Sequence, residues 1–280
     1  MNLQAKQKLV SAILIFFFIV LAIFAIFPLL LITLSSFKPS TELMRHGLNL
    51  SFSLDNMSFK NYVYIFTDGQ VYLRWYLNSM IITGLVIVLS LFFSSLVGYA
   101  MAIYNFAGRY VLFVLVLFSL MIPFEILMLP LYRLMVSLQL INTYFGIMLP
   151  MIVSPVAVFF FRQFALGLPK ELLDSARIDG CTEYGIFFRI MAPLMLPAYA
   201  AMAILTGLFS WNNFLWPLIV IRSNDLFTLP VGLATLLTPY GNNYDLLISG
   251  SVLSIIPIII LFFIFQRYFV SGLAAGSIKG

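Results

Sequence analysis

Long apolar runs without a single charge constrain this chain more than any other feature. Leu77–Ile103 and Ile190–Ile221 contain no Asp, Glu, Lys or Arg, and Leu9–Leu34 is broken only by Ser11, Pro28 and Thr33. At a rise of about 1.5 Å per residue, such runs can cross a hydrocarbon core of about 30 Å. They read as membrane-spanning helices. The composition agrees, with 62% hydrophobic and 9% charged residues, where soluble domains carry about 25% charged.

Six spans are expected, at Leu9–Leu34, about Leu77–Ile103, about Tyr110–Tyr132, about Asn142–Phe161, within Ile190–Ile221 and about Leu246–Gln266. The fold class is therefore an all-α polytopic membrane protein. Pro123, Glu125 and Pro130 make the third span irregular, while Pro150 and Pro155 lie in the fourth and Pro257 in the sixth. Prolines are tolerated inside spans when neighbouring groups satisfy the freed carbonyls. The run after Lys6 and Lys8 exceeds a signal-peptide core of about 7–15 residues, so it reads as an uncleaved anchor. The expected division is an anchor helix at 1–34, an outer loop at 35–76, a transmembrane domain at 77–267 and a tail at 268–280.

Direction follows from the bases. With the N-terminus cytoplasmic, the inner segments hold Lys6, Lys8, Arg109, Arg162, Lys170, Arg177, Arg189, Arg267 and Lys279. The outer segments hold Lys38, Arg45, Lys60, Arg74, Arg133 and Arg222, and acids balance them. The inner side keeps a net positive charge. A multi-pass cell-membrane protein with both termini cytoplasmic is expected.

Several chemistries are excluded by residue supply. One cysteine (Cys181) and one histidine (His46) allow neither an intrachain disulfide nor a Cys/His metal cluster. No G-x-S-x-G, H-E-x-x-H or G-x-x-x-x-G-K-[ST] occurs. The chain carries no sign of catalysis, of a bound cofactor or metal, or of nucleic-acid binding. A secondary transporter would use intramembrane ionisable groups and inverted repeats, and Glu125 is the lone candidate.

The densest charge lies in "PKELLDSARIDGCTEYGIFFRIMAP", Pro169–Pro193, between the fourth and fifth spans. Pro169 reads as a helix start. Leu172, Ala176 and Gly180 recur at helical spacing beside Leu173, and Lys170, Glu171, Asp174, Arg177 and Asp179 cover the other faces. Gly180 permits a sharp turn. Thr182 can cap a second helix whose apolar positions are Tyr184, Phe187, Phe188 and Met191. An amphipathic connector lying on the bilayer would show mainly bases opposite large apolar residues. Here the signs are mixed and Ser175, Ala176 and Gly180 are small, which favours docking into a protein groove.

This stretch resembles the cytoplasmic loop of binding-protein-dependent ABC importer permeases. That family's pattern is Glu-Ala-Ala, three residues, Gly, nine residues, Ile, one residue, Leu-Pro. Asp174-Ser175-Ala176, Gly180, Ile190 and Ala192-Pro193 stand at those places, with departures at Asp174, Ser175 and Ala192 that keep size or charge. The resemblance implies a type I importer permease fold, with a coupling helix between helices 4 and 5 that docks on a separate ATPase. Glu171, Leu172, Asp174, Ser175, Ala176, Gly180, Ile190 and Pro193 are the docking residues it implies. It also implies two ATPase subunits that use ATP and Mg, a second homologous permease as heterodimer partner, and an extracellular binding lipoprotein or periplasmic binding protein.

"SWNNFLWPLIV" (Ser210–Val220), "FFFRQFALGLPKELLDSARIDGC" and "FVSGLAAGSIKG" are similar to the carbohydrate permeases of that family. "SPVAVFFFRQ" and "PYGNNYDLLISGSV" resemble permeases for arabinose and arabino-oligosaccharides. The substrate implied is such a sugar. The alternatives are another sugar such as a maltodextrin, a glycerol-phosphate-type substrate, or secondary transport. Trp211, Asn212, Asn213 and Glu125 are the substrate-path candidates, since polar groups within a span are costly and often functional. The competing reading makes the tryptophans an interfacial belt and the asparagines bridges between helices. Trp216 reads as packing. By resemblance, Tyr240, Gly241, Asn242, Asn243 and Tyr244 form a gate loop toward the binding protein, and the tail Ser271–Gly280 touches the ATPases.

Overall fold

A computed structural model describes residues 3–42, 47, 57–67, 69–238 and 241–277. Its chain divides into two compact units, Met1–Leu73 with Leu233–Ile255 and Arg74–Gly232 with Ile256–Gly280. Each is built around helices, as the apolar runs require.

In the first unit, α1 (Leu3–Ser35) contains Pro28 and leaves its apolar side chains exposed from Leu9 to Leu30. The elbow that follows is tied by polar contacts. Ser36 Oγ lies 2.5 Å from Tyr62 Oη on α2 (Lys60–Thr67), and Asn61 Nδ2 donates to the carbonyls of Ser36 and Lys38. Asp245, in the first turn of the last long helix, accepts from the backbone N–H and the hydroxyl of Ser40 at 2.6 and 3.0 Å. Tyr72 Oη donates to Gly250 O at 2.8 Å.

The second unit holds most of α3 (Gln70–Ile103), followed by α4 (Arg109–Met121) and α5 (Phe124–Ser137). Next come α6 (Tyr144–Met148), α7 (Pro155–Leu166), α8 (Glu171–Ile178), α9 (Glu183–Ile186) and the three-residue α10 (Ala192–Leu194). Then follow α11 (Leu196–Trp211), α12 (Leu215–Val220) and α13 (Leu229–Thr235). The chain then re-enters the first unit, where a two-residue antiparallel pair, β1 (Leu237–Thr238) with β2 (Gly241–Asn242), precedes α14 (Tyr244–Ser277), whose residues from Ile256 onward belong to the second.

Among the described residues three helices are individually long and apolar enough to cross a membrane, and up to six spans result if each of three bent helix pairs counts as one. The third expected span, about Tyr110–Tyr132, is not one helix. α4 and α5 meet at 106°. Ile122 is extended at φ −90°, ψ 114°, because the ring of Pro123 pushes the residue before it out of the helical region. The fourth pair bends by 40° between Met151 and Pro155. There Ser154 caps α7 by accepting from Ala157 N, and Pro155 occupies the first turn. The fifth pair bends by 74° between Leu194 and Leu196.

Two buried clusters hold this unit together. One gathers Tyr99, Phe161, Ala165, Ile186, Met191 and Met195 with Leu173 and Ala176. The other gathers Ile82, Val86, Met135, Ile147, Trp216 and Val220. Gly98 lets α3 meet α7 backbone to backbone, since a Cβ there would lie 2.8 Å from Arg162 N and Val158 O.

Candidate functional site

The charged stretch folds as a helix–turn–helix. α8 starts at Glu171, two residues later than Pro169 suggests. Its end is a Schellman motif. Gly180 sits at φ +77°, Gly180 N donates to Arg177 O and Cys181 N donates to Ala176 O. An L side chain at that φ is strained, which explains the glycine. Thr182 Oγ1 then caps α9 by accepting from Gly185 N at 3.2 Å.

A carboxylate locks the two helices. Glu183 accepts from Arg177 Nε at 2.8 Å and from Tyr104 Oη at 2.6 Å, and Arg177 also reaches Asp174 at 3.5 Å. The Arg177 guanidinium, followed by the Tyr104 hydroxyl, holds the Glu183 carboxyl below its usual range. Burial and the Glu183 bond push the Tyr104 phenol up. Tyr104 follows α3 directly, so the clamp joins the loop to a membrane helix. Its core members Tyr104, Arg177 and Glu183 are not motif positions, and nothing in the sequence spacing points to Tyr104.

The expected docking residues divide between two faces. Glu171, Leu172, Asp174, Ser175, Gly180 and Pro193 are exposed. Ala176 is not on that face: it is 4% exposed and packs with Leu173 into the cluster around Phe161. Ile190 is half-buried against the same cluster. These positions anchor the loop to its own bundle. The loop's exposed apolar groups are Leu172, Ile178, 87% exposed, Tyr184, 78% exposed, and Phe188.

The second helix also departs from simple periodicity. Phe187–Met191 is a π-turn, whose i→i+5 bonds add a residue to the turn. Ile186 and Met191 therefore share the buried face with Phe187, while Tyr184 and Phe188 face outward.

A cavity of about 860 Å³ lies among α5, α7, α11 and the break before α12, within the 300–1,000 Å³ range of small-molecule sites. Phe124, Met128, Met151, Phe209 and Phe214 line it, with Glu125, Ser154, Thr206, Asn212 and Asn213 as the polar groups. The structure thus brings Glu125, Asn212 and Asn213 together. Asn212 ends α11 and turns its Nδ2 back to Leu208 O at 3.0 Å. Asn213 Nδ2 reaches the Met151 thioether at 3.5 Å, a weak acceptor. Glu125 stands in the first turn of α5, where the helix dipole favours an anion. Among the described residues no ion pair involves it.

Trp211 does not join them. It is 4% exposed, outside the cavity lining, and meets Tyr76 edge-on at 5.6 Å. Trp216 is fully buried, donates to Gly146 O at 3.1 Å and packs edge-on against Phe124. It fixes α12, and thereby the break, against α5 and α6.

The segment before α14 is a short hairpin. Tyr240 lies outside the described residues. Gly241 and Asn242 pair with Thr238 and Leu237, Asn243 caps α14 by accepting from Leu246 N at 3.0 Å, and Tyr244 opens the helix.

Comparison with known proteins places this geometry. The chain is 65% identical over 263 residues, 94% of each protein, to the arabinooligosaccharides transport system permease protein AraQ of Halalkalibacterium halodurans. It is 36% identical, over 92% of each chain, to the lactose transport system permease protein LacG of Rhizobium radiobacter. A crystal structure of a bacterial ABC transporter involved in import of the acidic polysaccharide alginate matches 96% of this chain and 98% of that one, with a TM-score of 0.79 at 22% identity. That match shows the fold, a polytopic bundle of helices. Residues 94–274 match the family described as binding-protein-dependent transport system inner membrane component. The chain belongs to that family and is a membrane permease component of an ABC transport system.

Proposed function

We propose that this chain forms half of the path of an ATP-driven importer for arabinose or arabino-oligosaccharides. The observation that carries this reading is the 65% identity, over 94% of both chains, to a permease named for arabino-oligosaccharide transport. Relatives named for lactose and for sn-glycerol-3-phosphate are far less similar, at 36% and 32%. The cavity supports the reading, because aromatic and thioether walls with two amides and a carboxylate suit hydroxyl-rich, flat-faced rings. A binding protein delivers the sugar to the outer mouth, with 240–244 as the gate loop beside it. Glu125, Asn212 and Asn213 meet it along the path.

A second, homologous permease supplies the other half. Two ATPase subunits bind ATP and Mg, and their closure is carried by α8. Alternating access requires two packings close in energy that ATP and loaded binding protein bias in turn. The exposed face of α8, from Glu171 and Leu172 through Asp174 and Ser175 to Gly180, meets the ATPase, and Pro193 ends the loop. The termini and this loop face the cytoplasm. The division into anchor 1–34, outer loop 35–76, transmembrane domain 77–267 and tail 268–280 belongs to the same proposal.

The test is uptake of labelled arabinose, arabino-oligosaccharides and maltodextrins by cells deleted for this gene. Arabino-oligosaccharide uptake is expected to vanish and maltodextrin uptake to persist. Unchanged arabino-oligosaccharide uptake, with loss of another sugar, overturns the substrate assignment.

A further inference from the structure

The cavity among α5, α7, α11 and the break before α12 is supplied with one sign of charge. Among the described residues Glu125 is the one ionisable side chain in its lining, and no Lys, Arg or His joins it. Glu125 is exposed and makes neither a hydrogen bond nor an ion pair with any described residue. The Ser154 and Thr206 hydroxyls beside it are neutral. An ionisable group within a span is costly and calls for a function.

The two amides of the lining add acceptors to this carboxylate. Asn212 Nδ2 donates to Leu208 O, and Asn213 Nδ2 donates to the Met151 thioether. A carbonyl oxygen and a thioether sulfur can only accept, so each amide must turn its nitrogen toward its partner. Each Oδ1 is left without a hydrogen bond among the described residues. A carboxylate likewise accepts and never donates. Three acceptor groups therefore share one cavity with no cation to balance them.

We propose, on the reading that this cavity is part of the sugar path, that Glu125 makes it selective for uncharged polyols. Its two oxygens take a pair of neighbouring sugar hydroxyls, which are donors, and Asn212 and Asn213 accept from others. A sugar bearing a carboxylate or phosphate brings further acceptors and a like charge, and is turned away. A metal ion is the poorer occupant, since no group of three His, Cys, Asp or Glu stands together among the described residues. An organic cation is poorer too. Glu125 lies in the first turn of α5, whose positive end offsets part of its charge. Phe124, Phe209 and Phe214 supply apolar faces for the sugar rings.

Calorimetric titration of the assembled permease–ATPase complex tests this, with the binding protein left out so that its own preference does not enter. The ligands are arabinotriose and arabinotrionate, the same chain oxidised to a carboxylate at its reducing end. At low salt the wild type is expected to bind arabinotriose about tenfold more tightly, as a like-charge contact at short range in a medium less polar than water requires. The ratio is expected to shrink in high salt, which screens charge but not shape. Glu125→Gln should bring the two ligands within about twofold and weaken arabinotriose several-fold. Glu125→Asp, which keeps the charge, should keep the preference. The salt dependence of the wild type carries the test if Glu125→Gln does not assemble. Equal binding of the two ligands by the wild type, or an unchanged ratio in Glu125→Gln, overturns the proposal and leaves the sugar path standing. Tighter binding of glucosamine than of glucose overturns it in favour of a cation site. Absence of arabinotriose binding to the wild type overturns the sugar-path reading itself, and the proposal with it.

Discussion

The loop from Glu171 to Ile186 and the helix break at Asn212–Phe214 both interrupt apolar helix, but they are held in opposite ways. In the loop, polar groups close on one another. The Schellman motif satisfies the end of α8, Thr182 starts α9, and Glu183 binds Arg177 and Tyr104 together. At the break, among the described residues, Asn212 bonds within its own helix, Asn213 meets a thioether, and Glu125 has no ion pair. The first arrangement ties the loop to its own bundle, as the proposed coupling role needs. The second leaves hydrogen-bonding capacity pointed at a cavity, where a passing substrate can use it. The proposed lever and the proposed path need these opposite properties.

The comparison can be broken most severely at Gly180. Gly180→Pro removes the N–H that donates to Arg177 O and forbids φ +77°. Loss of ATPase association and of sugar uptake is expected, with membrane insertion unchanged. Copurification of the ATPase at wild-type level would show that the turn is not needed for docking.

A smaller effect is expected from Glu183→Gln, which keeps the shape of the clamp and removes its charge. Sugar uptake per ATP hydrolysed should drop several-fold while ATPase copurification persists. The sign of the pH dependence is fixed. Glu183 has a depressed folded pKa, so its stabilisation is present above the unfolded carboxylate pKa and lost as pH falls through the folded value. Thermal stability of wild type and variant should thus differ at neutral pH and converge in acid. A constant difference at all pH values would remove Glu183 ionisation from the account.

The mildest change is expected at the break. Asn212→Ala with Asn213→Ala should raise the KM for sugar uptake several-fold and leave ATPase association untouched, since hydrogen bonds of this kind contribute about 1 kcal/mol each. Trp211→Phe, outside the cavity, serves as its control. Unchanged uptake kinetics for every sugar would remove the asparagines from the path.

Much of the loop was legible because its rules are local. Pro169, Gly180 and Thr182 mark turns and caps within a few residues, and the structure uses Gly180 and Thr182 as their chemistry suggests. The facing of α8 was not legible. Leu172 and Leu173 are both apolar neighbours, and only the cluster around Phe161 decides that Leu173 and Ala176 turn inward while Leu172 and Ile178 stay out. Tyr184 was misplaced for a similar reason, because the π-turn changes which residues share a face.

By itself the sequence determined that the chain crosses membrane in helices, where prolines interrupt them, and that one charged segment leaves the apolar body. Those follow from hydrocarbon length, backbone satisfaction and missing proline N–H groups, which act over short stretches of chain. Only the tertiary structure decided that α4 and α5 turn at 106° and that Glu125 meets Asn212 and Asn213 in one cavity. It alone set Trp211 aside and joined Tyr104 to Glu183. These contacts link residues far apart in sequence, and their geometry is set by how whole helices pack.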